Sequence, residues 1–308
     1  MIDSLKGKRI LITGINGFIG SHLAAALVKK GAIVYGLSKN TSSSKKNLKA
    51  NILNYSKLSD FVKKSKIQIC FHLAAESIVE SGQKNPHKTF KVNFDGALNV
   101  LECARINNLE RTIIASTSHV YGRNRVPYFE GYMPRPTRPY ETSKACIDLL
   151  AQSYAESFNL PVLIPRFTNI YGPGDRNFNR LIPKTIRTVL SDKSPEMWGG
   201  EAKRDYLYID DAINAFTVLA EVNFSKVGEN RVFNFGSSNI ISVKDLIKKI
   251  IAASDKKLKI NKIQEEREGE VKTQYVSWNK ARKILGWEPK VDLDEGIRRT
   301  VAWYKDFL

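Results

Sequence analysis

The stretch KRILITGINGFIG, residues 8–20, joins a β-rich apolar run to three spaced glycines, Gly14, Gly17 and Gly20. SHLAAALVKKG (residues 21–31) follows, an apolar helical pattern that ends at Gly31 as a C-terminal cap. Glycine at such spacing permits a tight turn and lets the backbone approach a pyrophosphate closely. The helix N-terminus then points N–H groups at the phosphates. Alone the glycines are a weak signal. With a strand before them and a helix after them they specify a dinucleotide-binding βα unit.

Outward from this unit the same rhythm continues. AIVYGLS (32–38) reads as a second strand and residues 55–64 as a short helix. IQICFHLAA (67–75), RTIIAST (111–117) and PVLIPRF (161–167) read as buried strands. Helices NFDGALNVLECARINN (93–108) and SKACIDLLAQSYAESFN (143–159) lie between them, and NTSSSKKN (40–47) reads as a polar loop. Strands alternating with helices predict an α/β fold with a doubly wound parallel (Rossmann) sheet. After about residue 170 the rhythm gives way to Gly-, Pro- and Asn-rich loops such as YGPGDRNFN (171–179). The expectation is therefore a cofactor domain over residues 1–168 and a smaller α/β domain over 169–308. RVFNFGS (231–237) is expected to return to the first sheet. Leu293, Ile297, Val301 and Tyr304 place one apolar face on a final helix.

The chain has 308 residues, 42% hydrophobic and 26% charged, as in an ordinary globular protein. No apolar run is long enough to span a bilayer, and the N-terminal residues, leading directly into a strand, are not expected to be a secretory signal. Cys70, Cys103 and Cys146 are widely separated, without metal spacing, and read as reduced thiols of a cytoplasmic protein. A net charge of +18 raises the question of nucleic acid. The lysines are spread along the chain without a basic block, so a solvated lysine-rich surface or a phosphate-bearing small substrate is expected instead. Neither a nucleic acid nor a membrane is an expected partner.

An acidic residue about 20 positions after the glycines usually holds the adenosine ribose of NAD. Here no Asp or Glu occurs between Ser21 and Ser59, and the second strand ends in Ser38, Lys39 and Asn40. Hydroxyls and an ammonium suit a ribose 2′-phosphate, so NADP is favoured slightly over NAD. YETSK (140–144) puts Tyr140 and Lys144 four apart at a helix start, on one face. An ammonium beside a phenol is expected to lower the phenol pKa and make it usable as a base.

Taken together, GINGFIG, FHLAA (71–75), the Asn93 helix, STSHVYG (116–122), YETSK, PRFTNIYGPGD (165–175), RDYLYIDDA (204–212), REGEV (267–271) and LGWEP (285–289) make the chain resemble an extended short-chain dehydrogenase/reductase. The similarity is to the nucleotide-sugar epimerase and dehydratase group and covers nearly the full length. It implies Thr117, Tyr140 and Lys144 as catalytic residues. For the cofactor it implies Gly14, Gly17, Phe18, Ile19, Gly20, Ser38, Lys39, Asn51, Ile52, Leu73, Ala74, Ala75, Asn93, Tyr140 and Lys144, the last on the nicotinamide ribose. For the substrate it implies Ser118, His119, Asn169, Asn179, Arg180, Arg204 and Arg267, the guanidinium forks suiting a diphosphate. It implies no metal, and a homodimer built from the Asn93 and Tyr140 helices.

The expected activity is NAD(P)-dependent modification of a nucleotide-activated hexose through a 4-keto sugar, by C4 epimerisation, oxidation or 4-keto reduction. The alternatives are a 4,6-dehydratase with an unusual acid/base pair, a non-sugar carbonyl reductase, and a cofactor-sensing regulator. Dehydratases of the group carry carboxylates where this chain has Ser118 and His119, which disfavours loss of water. For His119 itself three roles stay open: acid/base, hydrogen-bond donor to the sugar, or inert loop residue.

Overall fold

A computed structural model describes residues 4–40, 42–264 and 271–308. The strands are β1 (Arg9–Thr13), β2 (Ile33–Ser38), β3 (Asn47–Lys49), β4 (Ile69–His72), β5 (Arg111–Ile114), β6 (Ser116–Thr117), β7 (Val162–Phe167), β8 (Asn169–Tyr171), β9 (Glu196–Trp198), β10 (Lys203–Tyr208), β11 (Val232–Phe235), β12 (Ile240–Ser242), β13 (Asn261–Gln264) and β14 (Thr273–Gln274). The helices are α1 (Phe18–Lys29), α2 (Tyr55–Ser65), α3 (Val79–Lys84), α4 (Pro86–Phe90), α5 (Gly96–Ile106), α6 (Pro139–Phe158), α7 (Leu181–Leu190), α8 (Ile209–Glu221), α9 (Phe224–Val227), α10 (Val243–Ala253) and α11 (Leu293–Phe307).

The main sheet runs β11-β7-β5-β4-β1-β2-β3, with β6 also on β7, and every pairing in it is parallel. Its central strands are buried on both faces, which is why they read as unbroken apolar runs. Alternation then sorts their side chains. Ile10, Ile12, Ile69, Phe71 and Ile113 pack on one side with Leu23 and Leu27 of α1 and with α8. Leu11, Cys70, Ile114 and Ile164 pack on the other side with Leu58 of α2, Val100 of α5 and Ile147 of α6. A second sheet, β12-β10-β14 with β8 on β10, carries the later part of the chain. Leu293, Ile297, Val301 and Tyr304 are all buried along α11.

Three differences from the sequence reading have simple causes. β3 lies within and just beyond the segment read as a polar loop, because a strand on the sheet edge need not be apolar. IQICFHLAA is a strand only to His72, and Leu73–Ala75 leave the sheet at its C-terminal edge. RTIIAST divides at Ala115 into β5 and β6. β11 pairs in register with β7, so the chain does return to the first sheet at 232–235.

Candidate active site

A cleft of about 600 Å³ opens at the C-terminal ends of the parallel strands, where the strand order reverses between β1 and β4. Its cofactor half is built largely of backbone. Thr13 at the end of β1 reaches across to β4: its Oγ1 lies 2.9 Å from His72 Nδ1 and accepts the N–H groups of Leu73 and Ala74, each at 3.2 Å. Burial pulls His72 down to about 3, with the charge of Lys144 adding to it, so the imidazole is neutral. This clamp fixes the two strand ends from which the cradle departs. Gly14 has φ +75, and a Cβ there would meet Ala74 N at 3.0 Å. A Cβ at Gly20 would overlap the Gly14 carbonyl oxygen. The glycines are therefore required by close approach and not merely tolerated.

These residues fit a dinucleotide. α1 begins after Gly17 with no side-chain cap and no acid in its first turn. Gly14, Gly17, Phe18, Ile19 and Gly20 line the cleft, so the open N–H groups of the helix face an anion site. Ser38, Lys39 and Asn40 line it at the end of β2, and Ile52, Leu73, Ala74 and Ala75 complete that half.

The other half brings together Thr117, Tyr140 and Lys144, the residues expected to be catalytic. Pro139 at the first turn of α6 sets its start, and Tyr140 follows directly. Lys144 Nζ donates to the Ala115 carbonyl at 2.8 Å, where β5 hands over to β6. Burial lowers the Lys144 ammonium to about 8, opposed by Asp148. Asp148 is itself buried and held by Ser116 Oγ at 2.7 Å and by both prongs of Arg166 at 2.8 Å. That network ties α6 to β6 and β7 directly beneath the site.

The expected lowering of the Tyr140 pKa by Lys144 is corrected. Burial pushes the phenol up to about 12, Arg180 pulls it down and Glu141 adds to the rise. The physical reason is that Lys144 is turned toward the Ala115 carbonyl, so desolvation of the phenol is the larger effect.

His119, Asn169, Asn179 and Arg180 also line the cleft. Asn169 Nδ2 donates to the Asp205 carbonyl at 3.2 Å. Arg180 donates to Asp175 at 3.0 Å and to Ser77 Oγ at 3.3 Å. Four expected residues do not line it. Asn93 is buried, accepts the Glu76 N–H at 2.8 Å, and donates to the Glu76 carbonyl at 3.2 Å and to Ser143 Oγ at 2.9 Å. Its amide thus positions the loop after β4 against α6 and is used up in doing so. Asn51 is exposed and turns its Oδ1 back to the Leu53 N–H at 3.2 Å. Ser118 is buried outside the cleft. Arg204 lies on β10 and donates to the carbonyls of Lys203 and Lys272, at 2.9 and 3.4 Å. Arg267 lies outside the described residues.

Sequence reasoning missed Glu141. Its Oε1 lies 3.5 Å from His119 Nδ1, while Oε2 accepts the Thr137 N–H and hydroxyl at 3.1 and 3.2 Å. The two residues are 22 apart in the chain, and the available signal was an acid in the first turn of a helix, a common feature. Among the described residues there is no cluster of His, Cys, Asp and Glu that could hold a metal, and no helix long and apolar enough to cross a membrane.

Residues 10–236 match the NAD dependent epimerase/dehydratase family. The chain is 33% identical to a dTDP-D-glucose 4,6-dehydratase of Dictyostelium discoideum, over 99% of this chain and 83% of that protein. Its structure is similar to UDP-glucose 4-epimerase of Thermotoga maritima, solved with UDP-glucose: TM-score 0.90, 28% identity, 97% of this chain and 99% of that one. It is also similar to UDP-glucuronic acid 4-epimerase of Bacillus cereus, solved with UDP-glucuronic acid and NAD: TM-score 0.87, 28% identity, 97% of this chain and all of that one. With the glycine cradle and the Thr117–Tyr140–Lys144 constellation in one cleft, the chain belongs to the NAD-dependent epimerase/dehydratase family of short-chain dehydrogenases/reductases.

Proposed function

We propose that this enzyme oxidises a nucleotide-activated hexose at C4 and returns hydride to the resulting 4-keto sugar, giving C4 epimerisation, with oxidation or 4-keto reduction as partial versions of the same cycle. The observation that carries this reading is the convergence of Thr117, Tyr140 and Lys144 with the α1 cradle in one cleft. The nicotinamide, when bound, supplies the acceptor for the C4 hydride. Tyr140 takes the proton of the C4 hydroxyl as the C4–H electrons leave, and gives it back when the ketone is reduced. Thr117 lines the same cleft, and its Oγ1, which accepts the His119 N–H at 3.3 Å, is the group offered to the same oxygen. Arg180 counters the cost of a phenolate at Tyr140. Lys144 is the group offered to the nicotinamide ribose. Residues 169–308 act mainly as the substrate domain, with Asn169, Asn179 and Arg180 on the nucleotide-sugar side.

The cofactor of the family is NAD. For this chain we propose that the adenosine end also accepts a 2′-phosphate, because Ser38 and Lys39 line the cleft there and the stretch is free of acids. The NAD-bound relative lends no support to a preference for NADP. Titrating NADH against NADPH decides it, and equal loss of both in Lys39→Asp would remove Lys39 from the account. A homodimer through α5 and α6 is proposed on the exposed apolar side chains these helices carry, Ile106, Leu149 and Phe158. A monomer by light scattering would end that part.

A second reading, 4,6-dehydratase, is favoured by the likeness to the Dictyostelium enzyme. It needs an acid and a base at the sugar, where this chain offers His119 in the cleft and Ser118 buried outside it. The test is mass spectrometry of UDP-, dTDP-, GDP- and CDP-hexoses after incubation with enzyme and cofactor. A same-mass isomer, or a change of two hydrogens, supports the C4 reading. Loss of one water replaces it with dehydration, and no change in any sugar overturns both.

A further inference from the structure

We propose that Asp148, braced by Arg166, is a positioning residue that keeps Lys144 a cation on the Ala115 carbonyl, the state in which it meets the nicotinamide ribose. This rests on the reading of Lys144 given above. Asp148 lies one helical turn after Lys144 on α6, so the two side chains share a face. It is wholly buried and does not line the cleft, so it acts from behind the site.

The carboxylate of Asp148 is filled by other donors. Ser116 Oγ donates to Oδ2 at 2.7 Å, and Gln152 Nε2 donates to Oδ1 at 2.8 Å. Arg166 Nε donates to Oδ2 and Nη2 to Oδ1, each at 2.8 Å. Lys144 Nζ is bonded to the Ala115 carbonyl instead. Asp148 therefore reaches Lys144 by two routes that need no contact. One is its field along the helix face. The other is Ser116, which follows Ala115 directly and so fixes the carbonyl on which the ammonium sits. Arg166 is braced in turn: Nη1 donates to the Tyr121 hydroxyl at 2.8 Å, and that hydroxyl donates to Asn234 Oδ1 at 2.7 Å. Burial alone would lower the Arg166 guanidinium, and Asp148 outweighs it, so the group stays charged.

A buried ion pair of this kind does not in general stabilise a fold more than apolar side chains of the same volume. Its place beneath the site calls for another account, and Lys144 supplies one. Burial pulls the Lys144 ammonium down, and Asp148 is the charge that opposes the fall. The other groups facing Lys144 bring no counter-charge. His72 on β4 is neutral, burial holds Tyr140 on α6 protonated, and Ala115, Ser116 and Thr117 at β5 and β6 are uncharged. Without Asp148 the buried ammonium would shed its proton nearer neutral pH. An amine makes weaker hydrogen bonds to ribose hydroxyls than an ammonium does, and it offers no charge to offset a phenolate at Tyr140.

The experiment is a fluorescence titration of the complete enzyme with NADH, whose nicotinamide ring is uncharged, repeated from neutral to alkaline pH. In wild type the affinity is expected to fall as pH rises through about 8, and Lys144→Met is expected to lack that fall. In Asp148→Asn the midpoint moves about one pH unit lower, and Asp148→Glu, which keeps the charge, returns it toward wild type. Asp148→Asn leaves the guanidinium buried without its partner, so Asp148→Asn combined with Arg166→Met is measured beside it, with thermal melting as the check on folding. The same downward shift is expected there. Affinity lowered equally at every pH with the midpoint in place, as loosened packing alone would give, overturns the proposal and leaves the reading of Lys144 standing. Failure of both variants to fold assigns the pair to the fold and overturns the proposal as well. A wild-type affinity without the fall, or a fall that persists in Lys144→Met, overturns the reading of Lys144 and this proposal together.

Discussion

The two halves of the cleft are made of different material. The cofactor half is backbone: a turn that only glycine can make, a helix N-terminus without a cap, and strand ends clamped by Thr13 and His72. The half we propose for substrate and catalysis is side chains drawn from the chain at Thr117, His119, Tyr140, Lys144, Asn169 and Arg180. A backbone site tolerates change in most side chains and fails when a Cβ is added. A side-chain site does the reverse. Each half should therefore break in its own way, and the variants can be ordered by how much they break.

The largest effect is expected at Tyr140. Tyr140→Phe should lose about 10²–10⁴-fold in turnover, the range for a positioned acid/base group. Cofactor affinity by fluorescence titration should stay near that of wild type. Gly20→Ala should do the opposite. The new Cβ collides with the Gly14 carbonyl, and displacing the cradle should weaken cofactor binding. Equal loss of cofactor and sugar binding in that variant would mean that the two halves are not separable.

How legible each half was in the sequence follows from the same contrast. GINGFIG declares its conformation locally, because glycine spacing, strand and helix are neighbours in the chain. Tyr140 and Lys144 were legible for a similar reason, being one helical turn apart. The Lys144 direction was not legible, since its partner is the Ala115 carbonyl 29 residues away. Asn93 carried a familiar pattern, yet its amide is spent on Glu76 and Ser143. Glu141 was invisible because its role depends on packing the turn after β6 against α6. Arg204 was read as a diphosphate contact, and in the second sheet one of its guanidinium nitrogens donates to the carbonyls of Lys203 and Lys272.

The arginines sharpen the point at a smaller scale. Arg180→Ala should weaken nucleotide-sugar binding by roughly 1.5–3 kcal/mol, the range for hydrogen bonds to a charged group. Arg204→Ala should leave it nearly unchanged. Calorimetric titration with a UDP-sugar compares them, and a larger loss at Arg204 would reverse their assignment.

A last effect concerns Lys144 and pH, and it bears on stability instead of binding. Its folded pKa of about 8 lies below its ordinary 10.5, so the unfolded chain binds more protons between those values. The destabilisation from burying this cation is complete below about 8 and fades as pH rises toward 10.5. Thermal melts across that window should show wild type gaining on Lys144→Met. A constant gap would mean that Lys144 is not desolvated in the folded protein.

The central claim is that hydride leaves C4 of a nucleotide-linked sugar in this cleft. It is tested most directly with UDP-, dTDP-, GDP- and CDP-hexoses deuterated at C4, incubated with enzyme and NAD, with both cofactor and sugar then isolated for mass spectrometry and NMR. With at least one of these sugars the deuterium should be found on the reduced nicotinamide, where the ketone is released, or back at C4 of the inverted sugar, where hydride has returned, and Tyr140→Phe should abolish both. A bound cofactor that stays unlabelled, with no C4-inverted sugar that keeps its deuterium from any substrate, would contradict it.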